Sequence, residues 1–174
     1  MKNKNYIYFE EDAYIDTVIS TQIAVIGYGN QGRAQALNMR DSGLKIIIGN
    51  KEDAYKKRAQ TDNFPVYEIS EAVSRSEIVF LLTPDETMPE LFEKEIKPYL
   101  REGMTVVFAS GYNIGFNLLD VPKDIDVIMI APRMIGIGVR ERFLNKEGYF
   151  SFVSIHQNYT KNAKEKMLTY LIIY

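Results

Sequence analysis

The sequence predicts a doubly wound α/β domain of the Rossmann type with a mostly parallel sheet. Short apolar, β-branched segments alternate with longer amphipathic segments, which is the pattern of βα units around a sheet buried on both faces. A glycine-rich turn joins the first clear strand to the first helix. The 174 residues contain no internal repeat and no Pro/Gly/Ser-rich linker, so we expect one domain over residues 1–174.

The predicted elements alternate along the chain. Six segments have the composition of buried strands: Gln22–Gly27, Lys45–Gly49, Glu77–Leu82, Met104–Ala109, Asp126–Ala131 and Phe152–His156. Tyr6–Phe9 and Pro65–Tyr67 show a less complete strand pattern. Helices are predicted at Gln31–Ser42, Glu52–Thr61 and Pro84–Leu100, and from Thr160 onward. This order favours parallel strands joined by helical crossovers.

Two helix boundaries have a local explanation. Thr83, Pro84 and Glu86 place a hydroxyl at the N-cap, proline at the first helical position and a glutamate three residues after the cap. This arrangement predicts that the helix begins at Pro84. Ser42 and Gly43 supply a residue that tolerates positive φ where the first helix must stop.

Composition excludes several classes of function. The chain has no cysteine, which excludes thiol catalysis and thiolate metal sites and suits a reducing cytoplasm. Its 21 Lys and Arg against 23 Asp and Glu give a net charge of −2, so we expect neither nucleic acid nor an anionic membrane as a partner. Met1–Asp12 resembles no signal or transit peptide, and no uncharged apolar run reaches the roughly 18 residues of a membrane span. A cytoplasmic location is predicted.

The glycine-rich turn carries the main functional signal. Its residues match GxGxxG between a strand and a helix: Gly27, Tyr28, Gly29, Asn30, Gln31 and Gly32. In this context the first glycine permits the turn, the second lets the backbone approach a pyrophosphate, and the third lets helix and strand pack closely. We expect a dinucleotide to place its pyrophosphate over the amides of residues 30–33. The alternative is a glycine turn that serves packing only, but packing alone does not need three glycines at this spacing.

The end of the second strand should select the cofactor. An acid there favours the ribose of NAD, whereas a basic residue favours the 2′-phosphate of NADP. Asn50 and Lys51 stand at this position, so NADP(H) is favoured over NAD(H). Arg58 is a second candidate for the phosphate, while Glu52 or Asp53 could instead accept from a 2′-hydroxyl. Alternatively, Lys51, Lys56, Lys57 and Arg58 form a solvated helix face. We prefer this interpretation for Lys56 and Lys57.

Other strand ends supply further candidates. Ligands of open α/β sheets bind beyond the carboxyl ends of the strands, and three such ends have unusual content: Leu82–Asp85, Ala109–Asn113 and Ala131–Gly136. Leu82, Thr83, Pro84 and Ser110 are therefore predicted to contact the cofactor. Ser110 and Arg133 are candidate catalytic groups, since Arg133 could hold an anionic substrate through its planar donors. The alternatives are a helix cap for Thr83–Asp85, a Gly-Asn turn after Ser110 and a surface ion pair for Arg133.

The sequence resembles the N-terminal nucleotide-binding domain of the ketol-acid reductoisomerases, also called acetohydroxy acid isomeroreductases. The resemblance extends from about Tyr6 to Tyr170. Four segments carry it: Ala24–Gly43, Leu81–Glu86, Phe108–Ile114 and Asp126–Pro132. It implies a domain that binds NADPH, or less often NADH. The family forms dihydroxy acids from 2-acetolactate or 2-aceto-2-hydroxybutyrate, on the way to branched-chain amino acids, by a magnesium-dependent alkyl shift and a hydride transfer.

Three departures bear on that implied activity. Ser110 stands where the family usually has histidine, and Arg133–Gly136 replaces a lysine followed by a Gly-Pro-Gly turn. The family's magnesium ligands lie mainly in a second, all-helical domain, which we expect to be absent from this chain. Asp85, Glu86 and Asp120 have no spacing that forms a metal cage, so no metal site is predicted. We therefore expect the isolated chain not to catalyse the full reaction; the alternatives are a non-catalytic dinucleotide-binding or sensing module, or a truncated gene product.

The last helix suggests a partner. Leu168, Leu171 and Ile172 recur at i, i+3 and i+4, so one face is apolar. We expect Lys166–Tyr174 to dock against a second copy or a separate helical domain, with a symmetric homodimer favoured. The alternative is that this segment folds back on its own sheet. His156, the single histidine, is expected to be structural or exposed.

Overall fold

One sheet of seven strands organises the described part of this computed structural model, which comprises residues 7–8 and 20–173. The strands are β1 (Gln22–Ile26), β2 (Lys45–Gly49), β3 (Val66–Tyr67), β4 (Ile78–Leu81), β5 (Thr105–Phe108), β6 (Asp126–Pro132) and β7 (Ser151–Gln157). Their order is β3-β2-β1-β4-β5-β6-β7. All neighbouring pairs are parallel except β6 and β7, which are antiparallel. The strand order therefore reverses between β1 and β4, the position at which doubly wound sheets bind dinucleotides.

Helices connect these strands. They are α1 (Asn30–Asp41), α2 (Ala54–Thr61), α3 (Ile69–Ser74), α4 (Met88–Leu91), α5 (Tyr112–Gly115), α6 (Gly136–Leu144) and α7 (Ala163–Ile173). After α4 the chain continues through a π-helical segment, Phe92–Ile96, and a 3-10 turn, Lys97–Tyr99. No helix in the described ranges is both long and apolar enough to cross a bilayer.

The central strand β1 divides the core into two layers. Ile23 and Val25 point into one apolar cluster, and Ala24 and Ile26 point into the other. All four are fully buried, because successive side chains of a strand alternate between the faces of a sheet that is covered on both sides. The glycine turn follows directly after Ile26 of this buried strand.

The last helix packs on the sheet of its own chain. Met167, Leu168 and Tyr170 of α7 are buried, and the Tyr170 ring meets Phe80 of β4 edge to face with centroids 5.2 Å apart. Leu171 is partly buried against the same cluster. Residues 166–171 therefore fold back on the sheet of their own chain, which was the alternative to docking on a partner. The side chains of residues 172–174 lie outside the described part.

The predicted strands are confirmed with small shifts at their ends, and Gly43 has the expected positive φ of 89°. Pro65–Tyr67 corresponds to β3. Of Tyr6–Phe9, only residues 7 and 8 are described and they form no strand; the rest of that prediction lies outside the described residues. The short helices α3, α5 and α6 were not predicted.

The helix start at Pro84 is wrong. Residues 85–87 form a turn, and α4 begins only at Met88. The Thr83 hydroxyl is buried without a hydrogen-bond partner among the described residues, so it caps no helix there. The Asp85 carboxylate instead accepts hydrogen bonds from the neighbouring loop after β5, and this tertiary contact replaces the local capping box.

Candidate functional site

The glycine turn after β1 has the geometry of a phosphate-binding loop. Gly27 has φ of 91°, which L side chains rarely adopt, and its backbone N–H donates to the Gly49 carbonyl at 3.0 Å. A Cβ on Gly27 would stand 3.0 Å from the Thr83 methyl and 3.1 Å from the Leu82 carbonyl oxygen. The first glycine is therefore required where β1, β2 and β4 converge.

The other two glycines serve different purposes. A Cβ on Gly32 would stand 1.9 Å from the Gly27 carbonyl oxygen, so this glycine permits close packing of α1 on the turn. A Cβ on Gly29 would meet no atom within 4 Å. The second glycine therefore borders open space at the start of α1, where a ligand can approach the backbone.

Backbone amides without a helical partner lie at the start of α1, next to Gly29. The first amides of a helix have no partner within the helix. Of the four amides predicted to lie against a pyrophosphate, that of Arg33 already donates to the Gly29 carbonyl at 2.9 Å. The amides of residues 30–32 remain as candidates. Amides and the positive end of the helix dipole together favour an anion.

Tyr28 anchors the turn from below. Its ring is fully buried and meets Phe64 edge to face, with ring centroids 5.7 Å apart. Its N–H donates to Asn50 Oδ1 at 3.0 Å, and its hydroxyl donates to Asp62 Oδ2 at 2.9 Å. Burial, reinforced by the Asp62 carboxylate, raises the pKa of the Tyr28 hydroxyl. Tyr28 thus contributes its backbone to the loop and its side chain to the support beneath it.

Asp62 connects that support to α1. Arg33 donates to its carboxylate through Nε at 2.7 Å and Nη2 at 3.1 Å, and Arg40 Nη1 donates to its carbonyl oxygen at 2.6 Å. The hydrogen bonds from Arg33 lower the pKa of the Asp62 carboxyl, against the opposing effect of partial burial. No local pattern indicates this network, because Asp62 lies 29 positions beyond Arg33.

The residues proposed for cofactor choice at the end of β2 differ in whether their side chains already have partners. Asn50 is buried, and its Nδ2 donates to the Lys51 carbonyl at 2.8 Å and to Asp53 Oδ1 at 2.9 Å. Asp53 also caps α2 by accepting from the backbone of residues 55 and 56. Glu52 pairs with Lys56 at 2.8 Å. Both acids are therefore engaged, whereas Lys51 is exposed and its amino group has no partner among the described residues.

A cleft opens on the other side of the glycine turn. Its volume is about 230 Å³. Its lining combines one residue of α1 with the ends of β4 and β5: Gln31, Leu81, Leu82, Thr83, Pro84, Asp85, Met88, Ala109 and Ser110. The structure therefore brings together the cofactor candidates Gln31, Leu82, Thr83, Pro84 and Ser110. A larger cavity of about 250 Å³, around Glu77 and Lys166, lies at the amino ends of the strands, away from the glycine turn.

Ser110 is held by a hydrogen-bonded cluster within this cleft. Its hydroxyl donates to Asp85 Oδ2 at 3.0 Å and accepts from the Tyr112 N–H at 3.2 Å. Asn113, which is fully buried, donates through Nδ2 to Asp85 Oδ1 and to the Asp85 carbonyl oxygen, each at 3.1 Å. The sequence placed Asp85 at a helix cap, but the structure makes it the link between the loops after β4 and β5.

The loop after β6 closes against the start of α1. Gln31 Nε2 donates to the Met134 carbonyl at 2.8 Å. A Cβ on Gly136 would stand 2.0 Å from the Asn30 carbonyl oxygen, so glycine is required for this approach. Arg140 of α6 also donates to Asn38 Oδ1 at 2.9 Å. The contacts between this loop and α1 were not predicted from the sequence, although a glycine at position 136 is a signal of close backbone approach.

Arg133 lies outside the lining of the cleft. It is exposed at the end of β6, and its guanidinium stacks 4.9 Å from the centre of the Phe152 ring. The ion pair considered as an alternative does not occur among the described residues. His156 is exposed on β7, in agreement with one of the two expectations for it. Neither side chain lines the cleft that contains Ser110.

Carboxylates near the cleft are dispersed rather than gathered. Within the described ranges, no three Asp, Glu or His side chains form a group that could hold a metal ion. Asp120 pairs with Lys97 at 2.6 Å, and Asp85 is committed to Ser110 and Asn113.

The residues present fit a dinucleotide on two observations. Open space over Gly29 leaves room for a phosphate against free amides. The buried Thr83 hydroxyl, unpartnered among the described residues, and the Ser110 cluster add polar groups on the far side of the turn. Both lie beside the reversal of strand order between β1 and β4.

Comparison with known proteins agrees with this geometry. Residues 17–172 match the family model of the acetohydroxy acid isomeroreductase NADPH-binding domain. The chain is 48% identical over 158 residues to the ketol-acid reductoisomerase (NADP(+)) of Pyrobaculum neutrophilum, covering 90% of this chain and 48% of that protein. The corresponding protein of Pyrococcus abyssi is 44% identical over 163 residues, covering 93% and 49%.

A solved structure extends the comparison to the backbone. The NADH-preferring ketol-acid reductoisomerase from an uncultured archaeon superposes with a TM-score of 0.89 at 36% identity, covering 94% of this chain and 50% of that one. The chain thus spans about half the length of the relatives it matches. Since the family model covers most of the chain, this protein belongs to the acetohydroxy acid isomeroreductase NADPH-binding domain family.

Proposed function

We propose that residues 1–174 form one dinucleotide-binding domain that binds NADP(H) and provides the cofactor-binding half of a reductoisomerase-type oxidoreductase. The observation that carries this proposal is the open space over Gly29 at the start of α1, beside the reversal of strand order. When bound, NADPH supplies a hydride; the chain's own residues bind and orient it.

The strand order supports the following placement of the two halves of the dinucleotide. The pyrophosphate lies on the amides of residues 30–32, the adenosine half lies toward the end of β2, and the nicotinamide half enters the cleft between β4 and β5. Gly27, Tyr28 and Asn50 shape this path without offering a free side-chain group to the ligand, since Tyr28 and Asn50 are buried and hydrogen bonded.

We place the choice of NADP(H) over NAD(H) on Lys51. Its amino group is available at the end of β2, while Glu52 and Asp53 are occupied by Lys56 and by the start of α2. A phosphate held by a free cation gains a charge-assisted hydrogen bond. One solved relative is described as NADH-preferring, so the preference of this chain has to be measured directly.

Calorimetry of the purified chain with NADPH and NADH tests the proposal. We expect saturable binding of both, with NADPH bound more tightly. Failure to bind either dinucleotide would remove the proposed function and leave a folded domain without this ligand, as a truncated gene product would be.

Turnover is the second test. We infer that these 174 residues alone do not convert 2-acetolactate with NADPH and magnesium, because they span about half of each matched relative. A steady-state assay that shows turnover in proportion to protein concentration would overturn this inference. Binding without turnover agrees both with a half-enzyme and with a non-catalytic sensing module, and activity restored by adding a separate helical domain would select the former. A cytoplasmic location is part of the same proposal.

Association through α7 is retained as a proposal in a narrower form. Met167, Leu168 and Tyr170 are buried within the chain and Leu171 is partly buried there, so a second copy or a helical partner domain would meet the exposed part of Leu171 and the residues after it. Sedimentation velocity of the full chain and of Leu171→Glu tests this without removing Tyr170 from the core. A monomer in both samples would reject the homodimer.

A further inference from the structure

We propose that Asp85 and Asn113 hold Ser110 as a hydrogen-bond acceptor, and that this acceptor positions the nicotinamide–ribose half of the bound dinucleotide. The inference rests on the proposed binding of NADP(H) and adds to it the orientation of one half of that ligand.

The hydrogen-bonding capacity of Ser110 is almost used up. A serine hydroxyl offers one donor and two lone pairs. Its donor goes to Asp85 Oδ2 at 3.0 Å, because a carboxylate can only accept. One lone pair accepts from the Tyr112 N–H at 3.2 Å. A single acceptor position therefore remains for a ligand.

Asp85 is fixed in turn by Asn113. The Nδ2 group of Asn113 donates to Asp85 Oδ1 and to the Asp85 carbonyl oxygen, each at 3.1 Å. Asn113 is fully buried, so its orientation is set by the core rather than by solvent. Asp85 cannot turn away from Ser110 without breaking these bonds. The serine hydroxyl is consequently prevented from offering its proton to a ligand.

The cleft presents acceptors where the nicotinamide half should lie. Asp85 and Ser110 both line it, while one of the two Nε2–H donors of Gln31, another lining residue, is already taken by the Met134 carbonyl at 2.8 Å. The nicotinamide half carries donors that fit, namely its ribose hydroxyls and the carboxamide N–H groups. The adenosine half lies across the strand-order reversal and cannot reach this cluster in the same binding mode.

The test compares NADPH with adenosine 2′,5′-bisphosphate, which contains the adenosine half alone. Ser110→Ala removes the acceptor, so we expect the Kd of NADPH to rise about 3- to 10-fold. The Kd of adenosine 2′,5′-bisphosphate should not change. The emission of bound NADPH, which reports the surroundings of the nicotinamide ring, should shift toward that of the free cofactor. Ser110→Thr keeps the hydroxyl and should retain most of the affinity.

Asp85→Asn tests the positioning role separately. The amide has one acceptor oxygen for the two donors that the carboxylate serves, so Ser110 loses its fixed orientation. We expect NADPH to bind more weakly while the adenosine fragment binds as before. In a Ser110→Ala background, Asp85→Asn should add nothing, because it acts through Ser110.

The outcomes are distinct for the two proposals. If the unaltered chain binds neither NADPH nor the fragment, the proposed function fails and this inference fails with it. If the unaltered chain binds NADPH and both single variants bind it equally well, the inference alone is overturned. Equal weakening of NADPH and the fragment would also overturn it, because the cluster would then act on the domain as a whole.

Discussion

Gly32 lies so close to Gly27 that a Cβ added to it would stand 1.9 Å from the Gly27 carbonyl oxygen. Real Cβ atoms do not approach a backbone oxygen this closely, and the obstacle is backbone rather than a flexible side chain. The third glycine of the motif therefore acts on packing, while the second faces open space. The two positions should respond differently to substitution.

We predict that Gly32→Ala destabilises the fold. Separating α1 from the turn should cost about 1–3 kcal/mol or more of the free energy of unfolding, since both sides of the contact belong to well-packed elements. Urea denaturation measures this cost. Gly148→Ala is the matched control, because a Cβ there meets no atom within 4 Å. Equal stability of Gly32→Ala and the unaltered chain would contradict the packing at Gly32.

Gly29→Asp should abolish dinucleotide binding and leave the fold intact. A Cβ is accommodated at this position, but the added carboxylate would repel a pyrophosphate beside the free amides. Calorimetry with NADPH gives the loss of affinity, and urea denaturation checks that the fold is kept. Gly148→Asp adds the same charge at an exposed glycine and should bind NADPH normally. Unchanged NADPH binding by Gly29→Asp would place the pyrophosphate elsewhere.

Lys51→Glu should weaken NADPH more than NADH. The substitution removes the cation proposed for the 2′-phosphate and adds a repelling charge. The Kd of NADPH divided by the Kd of NADH should therefore rise by about tenfold or more. Lys57→Glu, at an exposed position of α2, makes the same change of charge and should alter the ratio little. A ratio that responds equally to both variants would mean that net charge, and not Lys51, sets the preference.

Sequence patterns predicted the sheet and the glycine turn because both depend on local composition. Buried strands need runs of β-branched residues, and a tight phosphate loop needs glycine at Gly27, where φ is 91°. The antiparallel direction of β7 could not be read in this way. A strand has the same period of two in either direction, and the nine-residue helix α6 that precedes β7 was missed.

The same limit explains the errors at the cleft. Thr83–Glu86 contains every residue of a capping box, yet Asp85 is drawn to Ser110 and Asn113, which lie 25 and 28 positions further along the chain. Local propensity competes with such contacts but does not reveal them. Ser110 could be predicted beside the cleft because it follows a strand, whereas its hydrogen bond to Asp85 required the structure.

The support beneath the turn predicts a pH dependence of stability. Hydrogen bonds from Arg33 lower the pKa of Asp62 in the folded state below its unfolded value of about 3.9. A lowered pKa means that the carboxylate stabilises the fold above the unfolded pKa, and that this contribution disappears as the pH falls through the folded pKa. Because the Arg33 side chain is 41% exposed, solvent screening limits the contribution to about 1 kcal/mol.

Asp62→Asn should therefore lower the free energy of unfolding by about 1 kcal/mol at pH 7. The difference from the unaltered chain should shrink as the pH falls from about 4 through the lowered folded-state pKa of Asp62, below which the unaltered side chain is also uncharged. Urea denaturation at a series of pH values measures it. Glu86→Gln, at an exposed position, removes one charge without touching Arg33 or Tyr28 and serves as the control. A stability difference that stays constant from pH 7 to pH 3 would show that Asp62 acts through its shape and not through its charge.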